Sequence, residues 1–265
     1  MSGDTTEGVF FTIVAPTMGV ILGNAMFFTP FVSLSRSMKA GALGNLNPLP
    51  LVFILCNCIG WVGYGYATRD YFIFAGNFAG SLLGLFYTLT ASGLAGPADQ
   101  QLGMPVRPLL SAIAVFYMGV YLICGLVVTC ALDEGRDGDV RGIAANVFGF
   151  AVMPALITMY ASPLSTIARV LSTGSSASID KSITTVNFIN ASSWTIYGAA
   201  IGDYFIGVPN FLGVLLGAVQ IALKLTYPDG GPRSVDALPP GQAPPSIHEN
   251  DSEVVVVRLS RDLSH

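Results

Sequence analysis

The chain contains two tryptophans, Trp61 and Trp194, and each is followed sixteen residues later by an asparagine, Asn77 and Asn210. An amide donates and accepts hydrogen bonds, and the face of an indole ring covers a flat apolar surface. Together these groups suit an uncharged sugar ring better than an ion or an amino acid, which call for charged partners. The alternatives are helix packing or an interfacial position for the tryptophans and interhelical hydrogen bonds for the asparagines.

The matched spacing belongs to a longer internal repeat with an offset of 133 residues. The segments "WVGYGYATRDYFIFAGNF" and "WTIYGAAIGDYFIGVPNF" begin at Trp61 and Trp194, and they share Tyr-Gly, Asp-Tyr-Phe-Ile and Asn-Phe at the same places. The same offset relates Asn57 to Asn190, about one helical turn before each tryptophan. We therefore expect Asn57 and Asn190 to lie close to the two tryptophans and the other two asparagines, in one substrate-binding site.

A second set of repeated polar residues follows the tryptophans. Tyr64 and Tyr197 are equivalent under the offset, as are Asp70 and Asp203, and Arg69 adjoins Asp70. Hydrogen bonds and an ion pair among these side chains would close one mouth of a pathway and break when it opens. The alternative for the two aspartates is a solvated helix cap.

Prolines mark candidate bends in the same segments. Pro30 and Pro163 also differ by 133 residues, and Pro50 lies near the start of the next apolar segment. A proline in a helix removes a hydrogen bond and weakens the helix locally, and membrane helices tolerate such positions as bends. The matched pair favours a hinge at these three residues over unrelated kinks.

The composition shows which elements must position these residues. Of 265 residues, 52% are hydrophobic and only 11% are charged, whereas a soluble domain has charges on about a quarter of its residues. The apolar residues form blocks of about twenty, the length of a helix that crosses a bilayer. We predict an all-α integral membrane protein with seven spans, at roughly 9–34, 49–66, 71–95, 109–132, 142–166, 183–202 and 205–227.

The repeat also predicts the topology. It relates the first three spans to the last three, and one span separates the copies, so both copies begin on the same side of the membrane. Such parallel repeats are related by an axis along the membrane normal, with a site at their interface. We expect two parallel triple-helix bundles and a linker helix, a 3+1+3 plan. The predicted parts are an outer segment (1–8), the first repeat (9–95), the linker (96–141), the second repeat (142–228) and a disordered cytoplasmic tail (229–265).

Loop charges predict the orientation. Six lysines and arginines lie on one side of the predicted spans and three on the other. The side with more positive charge faces the cytoplasm, which places the N-terminus outside and the C-terminus inside. The tail is rich in Pro, Gly and Ser, a composition that cannot bury enough apolar area to fold alone.

Several classes of function lack support in the sequence. All four cysteines fall in apolar blocks and both histidines fall in the tail, so we expect no metal or other cofactor. No catalytic motif is present, which argues against an enzyme. The charges form no basic patch, and we expect no nucleic-acid partner.

Four segments carry a family resemblance: "GNAMFFTP", "NPLPLVFILCNCIGWVGYG", "MYASPLSTIARV" and "NFINASSWTIYGAAIGDYFIGVPNFLGVLLGAVQIAL". They resemble the SWEET (MtN3/saliva) sugar transporters of eukaryotes over about residues 9–228. The resemblance implies facilitated, bidirectional transport of mono- or disaccharides of the glucose or sucrose class through a lipid bilayer. It favours the plasma membrane over vacuolar or Golgi membranes and leaves homo-oligomerisation open.

The resemblance also implies roles for single residues. By motif, the pocket falls on Trp61, Asn77, Trp194 and Asn210, the outer gate on Tyr64, Tyr197, Asp203 and its basic partner Arg69, and three hinge prolines on Pro30, Pro50 and Pro163. The fourth hinge proline of the family is missing, because the offset from Pro50 leads to Ile183.

Two alternatives differ from this interpretation. A PQ-loop amino-acid exporter has the same 3+1+3 plan, but here Pro30 precedes Phe31 and Pro163 precedes Leu164, so the expected Pro-Gln pairs are absent. A seven-helix receptor or photosensor needs no internal repeat. We therefore favour a sugar uniporter that works by alternating access.

Overall fold

A computed structural model describes residues 8–133 and 140–229, which form helices apart from one short hairpin. The predicted tail, except Asp229, and the predicted outer segment, except Gly8, lie outside the described residues. The elements are a π-helical turn (Phe10–Val14), α1 (Ala15–Phe27), α2 (Thr29–Ala40), α3 (Leu49–Thr68), α4 (Tyr71–Leu94), β1 (Gln100–Gln101), β2 (Met104–Pro105), α5 (Val106–Asp133), α6 (Val140–Met159), α7 (Ala161–Thr173), α8 (Lys181–Ile201) and α9 (Tyr204–Thr226).

Within the described ranges, six helical stretches are long and apolar enough to cross a membrane. They are Phe10–Ala40, Leu49–Thr68, Tyr71–Leu94, Val106–Ala131, Arg141–Thr173 and Tyr204–Thr226. The sixth predicted span, 183–202, forms α8, whose length is sufficient but whose sequence, "KSITTVNFINASSWTIYGAAI", is rich in hydroxyl and amide side chains. With α8 the described residues contain the seven helical stretches that the sequence predicts, although α8 is more polar than the other six.

The first and fifth spans are each divided at one residue before a proline. α1 ends at Phe27 and α2 begins at Thr29, while α6 ends at Met159 and α7 begins at Ala161. Pro30 and Pro163 lie in the first turns of the segments after these breaks. The amide of Phe28 donates to Ala25, and that of Tyr160 to Ile157, which are three-residue bonds that tighten each break. The helices are thus interrupted close to both matched prolines, where the sequence analysis predicts bends.

Pro50 differs from the other two prolines because a loop, and not another helix, precedes the segment in whose first turn it lies, α3. The first four amides of a helix have no intrahelical acceptor, so a proline there costs no hydrogen bond. The expectation that Pro50 weakens a helix internally is therefore wrong. At the equivalent place in the second repeat, Asp180 caps α8, and its Oδ1 accepts a 2.9 Å hydrogen bond from the Ile183 amide.

Helix packing follows the repeat. Inside the repeats, α3 packs on α4, and α8 on α9. Between the repeats, α3 packs on α6, and α1 on α8, while α5 lies against α3 and α6. Under the 133-residue offset α1 is equivalent to α6, and α3 to α8. The α3–α6 contact is therefore equivalent to the α8–α1 contact. This is the arrangement expected of two parallel bundles related by a pseudo-twofold axis, with α5 as the linker.

We predict that Asp180→Ala lowers the melting temperature of the detergent-solubilised protein by about 2 to 4 °C, because loss of a helix cap costs about 1 kcal/mol. Asp180→Ser keeps a side-chain oxygen at the same position and is expected to melt like the parent. Equal melting temperatures for Asp180→Ala and the parent would contradict the assigned cap.

Candidate functional site

A cavity of about 190 Å³ lies between the two repeats, and all six predicted substrate-binding residues line it. Its lining comprises Gly23, Met26, Phe27, Asn57, Trp61, Ile73, Gly76, Asn77, Leu156, Met159, Asn190, Trp194, Ile206 and Asn210. Most of these residues form pairs under the 133-residue offset, so each repeat supplies one wall. The structure thus brings together the side chains that the sequence analysis placed in one site.

The four asparagines present unused hydrogen-bonding capacity to this cavity. Asn77 and Asn210 each donate one N–H to the backbone carbonyl four residues earlier, at 2.9 and 2.8 Å. The side-chain oxygens of Asn57 and Asn190 are buried and have no hydrogen-bond partner among the described residues. A buried acceptor without a partner costs about 1 to 3 kcal/mol. A ligand hydroxyl that enters the cavity can supply the missing donor.

The two tryptophans connect the cavity to the predicted gate. Trp61 and Trp194 are only 7% and 9% exposed. Each indole packs edge-on against the tyrosine three residues later, with ring centroids 5.2 Å apart for Trp61–Tyr64 and 6.1 Å apart for Trp194–Tyr197. The same two tyrosines thus contact the indoles that line the cavity.

Two hydrogen bonds cross between the repeats at one end of the cavity. The Tyr64 hydroxyl donates to Asp203 Oδ2 at 2.5 Å, and the Tyr197 hydroxyl donates to Asp70 Oδ2 at 2.7 Å. In both aspartates the other oxygen, Oδ1, accepts two backbone amides and caps the following helix. The cap and the gate, proposed as alternatives for these aspartates, thus use different oxygens of the same carboxylate.

A close approach of backbones brings each aspartate to this position. The Asp70 amide donates to the carbonyl of Gly65, and the Asp203 amide to that of Gly198, both at 2.8 Å. A methyl group on Gly65 would lie 2.6 Å from a backbone nitrogen of the next helix, and one on Gly198 would lie 2.5 Å from the equivalent atom. Only glycine fits, which explains the repeated Tyr-Gly and the sharp turn before each Asp-Tyr-Phe-Ile.

Arg69 does not take the predicted part in the gate. No ion pair joins Arg69 to Asp70 or Asp203, so the expectation of one is wrong for this conformation. Both oxygens of each carboxylate already accept hydrogen bonds. Arg69 instead ends α3 with a left-handed backbone (φ 58°), at the position that Gly202 occupies in the second repeat (φ 73°).

Two tyrosines that the sequence analysis missed join each broken helix to the third span of its repeat. The Tyr87 hydroxyl donates to the Phe27 carbonyl at the first break, at 2.8 Å. At the second break, the Tyr160 hydroxyl donates to the Pro209 carbonyl, next to Asn210 in α9. The offset could not reveal this pair, because the two tyrosines are not equivalent. It could have revealed the cavity residues Ile73 and Ile206, which are equivalent.

At the far end of α9 the Lys224 ammonium and the Ser176 hydroxyl lower the pKa of Asp229. Lys224 also donates to the Ser176 carbonyl, which ties the loop before α8 to the end of α9. No group of three or more His, Cys, Asp or Glu side chains that could hold a metal ion occurs within residues 8–133 and 140–229.

We predict that Tyr64→Phe and Tyr197→Phe each loosen the closed end, because a hydrogen bond to a carboxylate contributes about 1.5 to 3 kcal/mol. Labelling of a cysteine introduced at Ile73, in a protein free of native cysteines, should become faster from the gate side. Tyr66→Phe is the control, since Tyr66 lies on the same helix and is exposed. Unchanged labelling in both gate variants would contradict closure by these bonds.

Comparisons with known proteins support the architecture. A family model described as "Sugar efflux transporter for intercellular exchange" matches residues 14–91 and 146–230. The sugar transporter SWEET1 of Drosophila pseudoobscura pseudoobscura is 28% identical over 234 residues, which cover 88% of this chain and 93% of that protein. The bidirectional sugar transporter SWEET2a of Sorghum bicolor is 27% identical over 215 residues, which cover 80% of this chain and 83% of that protein.

A solved structure shares the fold. The 3.7 Å structure of a eukaryotic SWEET transporter aligns with a TM-score of 0.70 and 26% identity, covering 83% of this chain and 98% of that one. The two ranges of the family match fall on the two repeats and together span more than half of the sequence. On this evidence the chain belongs to the SWEET, or MtN3/saliva, family.

Proposed function

We propose that this protein carries mono- or disaccharides across a membrane in both directions and down their gradient, by alternating access. One observation carries the proposal: a cavity between the repeats presents two indoles and four amides in matched pairs, and hydrogen-bonded side chains close one end of it. The curated relatives bear the names of sugar transporters, which supports the substrate class.

The cavity residues suit a sugar by their chemistry. Trp61 and Trp194 offer apolar ring surface for the C–H faces of a pyranose. Asn77 and Asn210 each retain a carbonyl oxygen and one N–H for hydroxyl groups. A sugar hydroxyl can be both donor and acceptor, so it can also satisfy the unpartnered oxygen of Asn57 or Asn190. We propose these roles for all six residues.

The gate suits alternating access because each crossed bond joins one repeat to the other. Each aspartate caps the third helix of its own repeat and therefore moves with that helix as one unit. Each tyrosine comes from the second helix of the opposite repeat. Rocking of the repeats along the α3–α6 and α1–α8 contacts would separate Tyr64 from Asp203 and Tyr197 from Asp70 together. We propose that the breaks at Phe28 and Tyr160 provide the bends.

The loop charges support an orientation of the protein in the membrane. We propose that the end with the crossed bonds faces outward and that the C-terminus faces the cytoplasm, as the loop charges indicate. We also propose the plasma membrane as the location, and the division into residues 9–95, 96–141 and 142–228 as the functional parts. Transport by this site requires no covalent chemistry, so we propose a transporter and not an enzyme.

The direct test is uptake of radiolabelled glucose and sucrose by proteoliposomes that contain the purified protein and an unlabelled sugar inside. We expect rapid counterflow of at least one sugar, which liposomes without protein lack. Counterflow of amino acids with no counterflow of either sugar would instead favour the exporter alternative and would overturn the proposal.

We predict that Asn210→Ala lowers counterflow roughly tenfold or more, because one or two sugar hydroxyls lose a partner at about 1 to 3 kcal/mol each. The control is Asn146→Ala. Asn146 makes the same intrahelical amide-to-carbonyl bond, at 2.9 Å, but lies on an exposed face of α6. Undiminished transport by a correctly folded Asn210→Ala protein would remove Asn210 from the pocket.

We predict that transport requires neither a proton nor a sodium gradient. Coupling sites in such transporters lie near the bilayer midplane, whereas Asp70 and Asp203 lie at the closed end, where tyrosines and backbone amides already bind them. Counterflow should be the same with and without a pH gradient. Accumulation of sugar above its outside concentration, abolished by a protonophore, would disprove facilitated transport.

A further inference from the structure

The indole of Trp194 rests against two glycines of the other repeat. A methyl group placed on Gly19 of α1 would lie 2.7 Å from Trp194 Cε2 and 2.8 Å from Nε1. A methyl group on Gly76 of α4 would lie 2.9 Å from Cζ2 of the same ring. Carbon atoms do not approach so closely without displacing one another, so the ring occupies this place only because both positions lack side chains. We call Gly19 and Gly76 the glycine seat.

The other tryptophan has no such seat. The offset carries Gly19 onto Val152 and Gly76 onto Pro209, two buried residues that both have side chains. The cavity lining has the same bias, since Gly23 on the first repeat corresponds to Leu156 on the second. The two tryptophans are equivalent in sequence and differ in their surroundings, and Trp194 alone can sink into the opposite repeat in this way.

We propose that the glycine seat positions Trp194: it holds the indole back from the cavity and thereby keeps room for the sugar while the gate is closed. Trp194 lies one turn before Tyr197, whose hydroxyl bonds Asp70 on the same repeat as the seat. Seat and gate therefore belong to one contact between α8 and the first repeat. Gly19 is a positioning residue, because it does not line the cavity and acts only through the ring. The inference rests on the proposed function.

Gly19→Ala tests the proposal against a matched glycine. An extra methyl group in a tight contact forces the neighbouring side chain to move. We therefore expect the indole to move into the cavity and sugar counterflow to fall about tenfold. Gly119→Ala is the control, because Gly119 lies inside the helix α5 with no other atom within 4 Å of the added methyl. Both variants make the same change in a helix, and Gly119→Ala should transport like the parent. Parental transport by Gly19→Ala would overturn the proposal.

Fluorescence provides a readout that does not depend on transport. In a Trp61→Phe protein the emission comes from Trp194 alone, because the chain has two tryptophans. Adding Gly19→Ala should shift this emission and change its quenching by acrylamide, since the ring leaves its seat. In a Trp194→Phe protein, where Trp61 reports, Gly19→Ala should leave the emission unchanged. Equal effects on both tryptophans would show a general disturbance and would overturn the proposal.

Melting temperatures of single and double variants distinguish a specific contact between Trp194 and the glycine seat from general misfolding. Gly19→Ala and Gly76→Ala should each lower the melting temperature when Trp194 is present, and neither should lower it in a Trp194→Ala protein, which has room for the methyl. If Gly19→Ala fails to reach the membrane, its combination with Trp194→Ala should restore expression, and failure of the combination would overturn the seat. If the parent transports no sugar, the proposed function is wrong. The fluorescence and melting experiments would still test whether the glycine seat positions Trp194.

Discussion

The carboxylates of Asp70 and Asp203 each form two connections at once, and the closed end of the protein depends on them. One oxygen satisfies the first amides of a helix, and the other accepts a tyrosine hydroxyl from the opposite repeat. The cap holds the carboxylate in a fixed orientation, so the second oxygen is directed at the tyrosine hydroxyl of the opposite repeat. The bond between repeats can therefore break and form while the helix terminus stays intact.

Internal hydrogen bonds also explain why a helix as polar as α8 can lie inside a membrane protein. α8 has too many hydroxyl and amide groups to face lipid on all sides, but four of its serines and threonines bond their own backbone carbonyls, as Ser192 and Ser193 do at 2.8 and 2.9 Å. Its Asn190 lines the cavity, with a buried Oδ1 that has no partner among the described residues. An unpartnered acceptor is costly inside a membrane, and a hydroxyl group of a ligand in the proposed site would remove that cost.

The repeat is a symmetric framework with local departures. Glycines at positions 19, 23 and 76 make the wall of the first repeat thin, whereas valine, leucine and proline occupy the equivalent positions of the second. The breaks differ too, since Tyr87 donates from the third span to the first, and Tyr160 donates in the opposite direction. Equivalent helices can thus cross at similar positions and still offer different surfaces to a bound sugar.

The sequence by itself determined the membrane class, the parallel 3+1+3 plan and six of the residues that line the cavity. Two copies at a constant offset must place equivalent residues at equivalent heights, so Trp61 shares a level with Trp194, and Asn77 with Asn210. Only the tertiary structure decided that Arg69 forms no ion pair with Asp70 or Asp203 and that Trp194 lies against two glycines of the other repeat. Helix periodicity is a local property of the chain, whereas these contacts depend on which helices of the two repeats become neighbours and on how closely their backbones approach.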